Sequence, residues 1–213
     1  MKIYRLLISA FIPFFLLILF ASILTTKSYL LVSKGLYASH DDVVFDHDYA
    51  IDRIAGYLNY RYDNLDFGVD ELDDTIMMRQ TEIDHMVDVK NLYTSLRIAA
   101  GLSLILGVGL SYIIYKKNKE EFYKTFKNLY LAPMAFTLFL GTFFIIDFNK
   151  AFTAFHQLLF TNDDWILYST DVLIILLPIN FWLVSASIIL VLFSLSLGLI
   201  YYLNEKIIMK RLS

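Results

Sequence analysis

Two histidines lie in surroundings where an imidazole could move protons, and His85 is the first. At 100° per residue, Val89, Leu92 and Leu96 fall within about 40° of His85 on a helical wheel, and Asp88 lies one turn away. An apolar surround lowers the pKa of a histidine and a nearby carboxylate raises it, so the pattern favours a neutral, oriented imidazole. A general base needs such a ring, but a buried structural histidine hydrogen-bonded to Asp88 has the same pattern.

The second histidine, His156, repeats this arrangement. Phe152 and Phe160 fall within about 40° of His156 on the same wheel, so it also lies on an aromatic face. A polar turn follows, and then Trp165, a residue type common at the headgroup level of membranes. We therefore expect both histidines at one membrane interface, where two imidazoles can act as base and acid on one ester.

A metal site is the alternative chemistry for the two histidines, with Asp88 or Asp171 completing the ligand set. No His-x3-His or cysteine spacing supports it, so we expect no metal. Asp171 opens a long apolar run, and a carboxylate there is costly unless it pairs. Its expected partners are His156, Lys150 or Lys90, and the alternative is that it reaches water.

An acidic, histidine-containing stretch is a weaker candidate for a cation site. Its residues are His40, Asp41, Asp42, Asp46, His47 and Asp48. No calcium-loop spacing is present, and acidic loops are usually only solvated, so we expect no site there.

Composition places these residues in an all-α integral membrane protein. The 213 residues are 58% hydrophobic and 18% charged, and the mean hydropathy is +0.58. A soluble domain is roughly 45–50% apolar and about 25% charged. Cysteine is absent, which excludes disulfides, thiolate metal sites and a cysteine nucleophile, and a net charge of −3 does not indicate nucleic acid binding.

Four apolar stretches are long enough to cross a bilayer, which takes about 20 residues. They are predicted at residues 6–24, 98–115, 129–146 and 181–203. The first is longer than the apolar core of a secretory signal, so we interpret it as an uncleaved span rather than a signal peptide. The last belongs to an uncharged run too long for one span, and we expect Pro178 to divide off 172–177 as an interfacial or re-entrant piece.

The distribution of charge predicts how the chain is oriented. Lys and Arg exceed Asp and Glu in residues 1–5, 116–128 and 204–213, whereas acids are in excess in 27–97 and 147–180. Because basic residues collect on the cytoplasmic side, we expect both termini and the 116–128 loop inside the cell membrane. The two acidic segments, which carry both histidines, would then form a helical extracytoplasmic cap.

The larger outer segment contains two stretches with helical spacing. We predict helices over 49–65 and 75–96, the second running into the 98–115 span. Residues 35–48 are predicted to be a loop, and 66–74 an acidic turn.

Three sequence blocks resemble the bacterial lipoprotein intramolecular transacylases. Residues 82–90 (EIDHMVDVK) match EI-x-HM-x-DVK, and residues 155–165 (FHQLLFTNDDW) match FH-x-x-x-F-x-N-D-x-W. Residues 171–178 (DVLIILLP) match D-x-LI-x-x-x-P. The family often has an acid after that proline, where this chain has Ile179, so any role of that acid is absent or filled elsewhere.

The resemblance implies an acyltransferase that acts on diacylglyceryl-modified lipoproteins. In that reaction the sn-2 acyl chain moves to the α-amine of the same N-terminal cysteine, which gives an N-acyl, S-monoacylglyceryl lyso-form lipoprotein. The substrate is held in the outer leaflet, so the ester lies at the depth expected for both histidines. No cofactor is required, and the expected partners are the lipoprotein and membrane lipid.

We hypothesise that one of His85 and His156 deprotonates the amine while the other protonates the leaving glycerol oxygen. The residues leave open which histidine does which. Asp88 is a candidate to orient His85. The candidates that donate hydrogen bonds to the oxyanion are Lys90, Asn162 and Arg79. An acyl-enzyme route through Ser169, Thr161 or a tyrosine is the mechanistic alternative, although no nucleophile motif supports it.

Two other functions fit the same residues. One is a non-catalytic membrane sensor or accessory protein with structural histidines, and the other is a metal-dependent membrane hydrolase. The hydrolase would release free fatty acid, whereas the transacylase would form an N-acyl product.

Overall fold

The computed structural model describes residues 2–37, 46–65, 78–129 and 131–208. Within these ranges the regular elements are helices, with no strand, so the predicted all-α class is confirmed. The helices are α1 (Lys2–Ile23), α2 (Lys27–Tyr37), α3 (His47–Leu58), α4 (Gln80–Lys117), α5 (Lys119–Asn128), α6 (Leu131–Ile146), α7 (Phe148–Leu159), α8 (Val172–Leu176) and α9 (Ile179–Leu203), followed by a π-helical turn (Asn204–Ile208).

Polar residues begin several of these helices in the usual way. The side chains of Asp46, Asn118 and Asp147 accept hydrogen bonds from the first backbone N–H groups of α3, α5 and α7. Those N–H groups have no partner inside their helices, so the caps help set where each helix starts.

Four stretches of helix are long and apolar enough to cross a membrane. They are Lys2–Ile23, Gln80–Lys117, Lys119–Ile146 and Ile179–Lys206. The last three contain the predicted spans 98–115, 129–146 and 181–203, and the first ends one residue short of the predicted 6–24. The chain is a multi-pass membrane protein. Their sidedness and the limits of each span remain predictions.

Pro178 interrupts the last apolar run, as expected. Helix α8 ends at Leu176 and α9 begins at Ile179. Proline has no N–H with which to continue a helix, and it disfavours helical geometry in the residue before it. The division of this run into a short and a long helix is therefore confirmed.

The prediction for the larger outer segment was wrong at its helix ends. Residues 35–37 of the predicted 35–48 loop belong to α2, and the Asp46 cap starts α3 at His47. Residues 38–45 lie outside the described residues. Helix α3 also stops at Leu58, not at residue 65, and Tyr60 has a left-handed φ of 61° that cannot continue the helix. The predicted acidic turn at 66–74 lies outside the described residues.

The described chain forms two compact units. One takes in Ser22–Thr94 and Asp147–Ala186, and we call it the histidine unit because it contains both His85 and His156. Its core joins side chains of α2, α3, the start of α4, α8 and the start of α9, which include Leu30, Ile51, Ile54, Met86, Leu173 and Phe181.

The other unit takes in the remaining stretches of the described chain and has a small core of Ile8, Ile114 and Leu129. Gly107 lies on a buried face of α4 against α1, where a Cβ atom would come within 3.0 Å of Ile12 Cγ1. A small residue at this position lets the two helices approach closely.

Candidate active site

Two helices of the histidine unit bring the imidazoles together. His85 lies in the second turn of α4 and His156 in the last turn of α7. Their ring centroids are 5.9 Å apart with the planes inclined at 38°, and each residue is only 8% exposed. Two titratable rings from separate parts of the chain thus share one largely enclosed position.

Aromatic rings enclose this pair. Phe160 contacts both histidines, with centroids 5.2 Å from His85 and 5.7 Å from His156. Phe152 and Trp165 cover other faces of His156 at 4.2 and 5.1 Å. Such walls exclude water from the rings, and this burial lowers the pKa of His156 below its ordinary value.

The hydrogen bond of His156 identifies which of its nitrogens carries the proton. Nδ1 lies 2.8 Å from the carbonyl oxygen of Phe152. A carbonyl oxygen only accepts, so Nδ1 donates, and in the neutral ring the lone pair is on Nε2. His156 is therefore held in the tautomer that presents Nε2 as a proton acceptor.

His85 is held differently. Its Nδ1 is buried and has no hydrogen-bond partner among the residues that the structure describes. A buried nitrogen without a partner is energetically costly, and such groups recur at functional positions.

Within the described residues, Asp88 forms its hydrogen bond with a residue other than His85, so the expected Asp88–His85 bond is absent there. Asp88 Oδ2 instead accepts from Asn162 Nδ2 at 2.7 Å. The Asn162 backbone carbonyl accepts from Trp165 Nε1 at 3.0 Å. The Asn162–Asp88 bond thereby ties the turn after α7 to the helix that carries His85, and the Trp165 bond holds the turn itself.

Asp171 is paired with Arg79, and the partners expected from sequence were wrong. Arg79 Nε and Nη2 donate to the two carboxylate oxygens at 2.6 and 2.5 Å. Asp171 Oδ2 also accepts from the Tyr168 N–H at 2.7 Å, and the Arg79 guanidinium lies 4.4 Å from the centre of the Tyr168 ring. The guanidinium lowers the pKa of Asp171 and keeps it ionised.

Lys90 and Lys150, two of the expected partners of Asp171, are engaged elsewhere. The Lys90 ammonium lies 3.9 Å from the centre of the Tyr57 ring and 4.5 Å from that of Tyr60. Lys150 pairs with Asp147 at 2.9 Å. Aromatic faces attract cations, so Lys90 is held in the histidine unit by tyrosines rather than by a carboxylate.

The sequence reading missed Glu82. Its carboxylate is 1% exposed and accepts hydrogen bonds from the backbone N–H of Arg79 at 2.8 Å and of Leu173 at 2.9 Å. A signal was present, because Glu82 lies about 60° from His85 on the wheel, at the edge of the apolar stripe. A carboxylate on such a face requires hydrogen-bond partners, and that requirement distinguishes Glu82 from an exposed acid of the same helix.

The metal alternative finds no ligand set in the part of the chain that is described, where no three His, Asp or Glu side chains cluster. His40, Asp41 and Asp42 of the acidic stretch lie outside the described residues. Of the remainder, Asp46 caps α3.

Comparison with known proteins gives one family. The model of the family described as lipoprotein intramolecular transacylase Lit matches residues 5–182. A search of curated proteins found no match.

Solved structures of one bacterial protein are similar over nearly the whole chain. The in meso structure of the membrane integral lipoprotein intramolecular transacylase Lit from Bacillus cereus is 26% identical, with a TM-score of 0.79, and the alignment covers 100% of this chain and 98% of that one. A structure of that protein with a histidine-to-arginine substitution is 25% identical, with a TM-score of 0.73 and coverage of 99% and 92%. Another, with a histidine-to-alanine substitution, is 26% identical, with a TM-score of 0.73 and coverage of 100% and 96%. Because the family match covers well over half of its residues, this chain belongs to the lipoprotein intramolecular transacylase Lit family and is an acyltransferase.

Proposed function

We propose that this acyltransferase moves the sn-2 acyl chain of an S-diacylglyceryl-cysteine lipoprotein to the α-amine of the same cysteine, giving an N-acyl, S-monoacylglyceryl product. The observation that carries the proposal is the pair of buried imidazoles 5.9 Å apart. Amine and ester belong to one substrate molecule, so the two imidazoles have to move a proton between two nearby atoms, the amine nitrogen and the glycerol oxygen.

His156 is the base in this proposal. The α-ammonium of the substrate has a pKa of about 7.7–8.0 and must lose a proton before its nitrogen can attack the ester carbonyl. His156 suits this step because its Nδ1 donates to Phe152 and its Nε2 lone pair is available. Its lowered pKa keeps the ring neutral, and therefore able to accept a proton, at neutral pH.

His85 is the proton donor to the leaving group. Attack of nitrogen on the carbonyl carbon forms the C–N bond, and the bond from that carbon to the glycerol oxygen breaks. The ammonium first loses one proton through His156 to water. The attacking amine then loses a second proton to His156 while the glycerol oxygen gains one from His85, so that, counted from the neutral amine, one N–H is exchanged for one O–H. A neutral imidazole gives up its N–H proton only as it receives another, so the proton that His156 takes from nitrogen is passed to His85 across the ring pair in the same step.

Neighbouring polar groups support the intermediate. Asn162 uses one amide N–H on Asp88 and has a second with which to donate to the oxyanion. Lys90 and Arg79 act by holding the surrounding helices, since their charged groups already face tyrosine rings or Asp171. Holding amine and ester in contact contributes up to about 7–11 kcal/mol in well-oriented intramolecular reactions.

The proposed site faces the outer side of the cell membrane, with both termini cytoplasmic. The excess of basic residues in the terminal and 116–128 segments supports this orientation. Trp165, which contacts His156, supports a position at headgroup depth. A lipid-anchored ester would reach the histidines there.

Expression of His85→Asn and His156→Asn variants in a host without other N-acylation tests the proposal. Mass spectrometry of lipoprotein N-terminal peptides should show the lyso form with the parent protein and none with either variant, at equal amounts of folded protein. His47→Asn, the same substitution outside the pair, is the matched control and should keep the product. An unchanged lyso form in both variants, or free fatty acid in place of an N-acyl product, would refute the proposal.

A further inference from the structure

Glu82 is a buried carboxylate to which the proposed chemistry assigns no step. It lies in the first turn of α4, one turn before His85, and is 1% exposed. An ionisable group is almost never buried so completely unless it is paired or hydrogen-bonded. Its surroundings therefore have to stabilise a group that only accepts hydrogen bonds.

Both carboxylate oxygens are used on backbone N–H groups. Oε2 accepts from Arg79 and Oε1 from Leu173, which lies 91 residues away in the chain. Glutamine would place an NH2 group opposite one of these N–H donors, so it can satisfy only one of the two. The site thus selects a carboxylate over its closest neutral analogue.

A second contact runs beside this one between the same segments. Arg79, which donates its N–H to Glu82, also binds Asp171 through two nitrogens. Asp171 comes two residues before Leu173. We call the Glu82–Leu173 and Arg79–Asp171 contacts the α4–α8 clamp.

The clamp restrains the segment that connects the second histidine to α8. His156 lies at the end of α7, and the chain from there to Asp171 is free of helix. The Asn162–Asp88 hydrogen bond attaches the start of this segment to α4, and the clamp attaches its end. Both attachments are to the helix that carries His85.

We propose that Glu82 is a positioning residue that sets the separation of His85 and His156 through the α4–α8 clamp. The inference rests on the proposed function, because it requires that the two imidazoles share a reaction. Loss of the Glu82–Leu173 contact then moves α8 and the preceding segment relative to α4. A misplacement of about 1 Å in an active site can lower the rate about 100-fold without any change to a reacting group.

Steady-state kinetics of the purified full chain with a synthetic diacylated lipopeptide in detergent micelles test this role. Glu82→Gln should lower kcat by about 10- to 100-fold per folded molecule and leave KM nearly unchanged. Asp84→Asn is the matched control, because Asp84 is an exposed acid on the same turn that bonds only Gln80 in the described chain. It should behave as the parent protein does.

An unchanged kcat per folded molecule in Glu82→Gln, with less folded protein, would show a purely structural role and overturn the proposal. If Glu82→Gln cannot be purified folded, Glu82→Asp decides, since its shorter carboxylate cannot reach both N–H groups and should give the same fall in kcat. His85→Asn is measured in parallel. If it is inactive while the Glu82 variants are fully active, only the positioning role fails, and if it is active the proposed function fails with it.

Discussion

Replacing His156 by asparagine distinguishes the roles of its two ring nitrogens. The asparagine amide nitrogen takes roughly the place of Nδ1, which donates to the Phe152 carbonyl, whereas nothing replaces Nε2. The variant therefore retains the structural hydrogen bond and loses the proton acceptor. Glutamine has the opposite geometry, because its amide nitrogen reaches toward Nε2 and leaves Nδ1 unreplaced.

The expected effect on rate is much larger than the effect on stability. General acid–base catalysis contributes about 10²–10⁴-fold, equivalent to roughly 2.7–5.5 kcal/mol of transition-state stabilisation. The lost ring contacts with Phe152, Phe160 and Trp165 are partly replaced by the smaller amide, and a hydrogen bond contributes about 1 kcal/mol. His156→Asn should thus lower kcat by at least about 100-fold while the protein remains folded.

Single-turnover formation of the N-acyl lipopeptide, followed by mass spectrometry, measures the rate, and thermal unfolding in detergent measures the stability. His156→Gln should be as inactive as His156→Asn and less stable, because it loses the bond to Phe152. A rate within tenfold of the parent in either variant would refute the role of His156 as the base.

Three other properties follow from the contacts described above. Burial lowers the pKa of His156 below the value of about 6.5 that a histidine has in an unfolded chain. The stability that the neutral ring contributes is therefore present above about pH 6.5 and is lost as the pH falls. The melting temperature should drop between about pH 7 and pH 5, and it should drop less in His156→Asn. Asp171→Asn removes the charge that faces Arg79 and should lower the melting temperature more than Asp163→Asn on the exposed turn does; equal values would contradict the importance of the pair. Gly56→Ala would place a Cβ atom 2.3 Å from the Tyr62 ring. Such overpacking costs about 1–3 kcal/mol, which exceeds the roughly 0.5–1 kcal/mol gained in helix propensity. Chemical denaturation should therefore show a lower free energy of unfolding.

Much of this architecture could be predicted because it depends on local patterns. Apolar stretches of about 20 residues indicate spanning helices whatever they pack against. The missing N–H of Pro178 divides the last run in any tertiary context. The apolar stripe around His85 and His156 likewise follows from helical periodicity, and the three motif blocks indicate the family from the sequence alone.

Helix ends in the outer segment were less predictable. The sequence pattern from Tyr49 onward continues to be compatible with a helix past Leu58, yet the chain turns at Tyr60. Tyr62 then packs over Gly56 and its hydroxyl donates to Asp52. These contacts between the helix and the residues after it override local propensity, which is weak when tertiary contacts compete.

The sequence by itself determined which residues can do chemistry and which stretches enter the membrane, since residue type, hydropathy and periodicity are properties of short segments. Only the tertiary structure decided the partners: Arg79 for Asp171, Asn162 for Asp88, and the Leu173 N–H for Glu82. Each joins residues more than seventy positions apart, and such pairs form only when whole helices pack, because the free energy of burying a charge depends on every group that surrounds it in the folded chain.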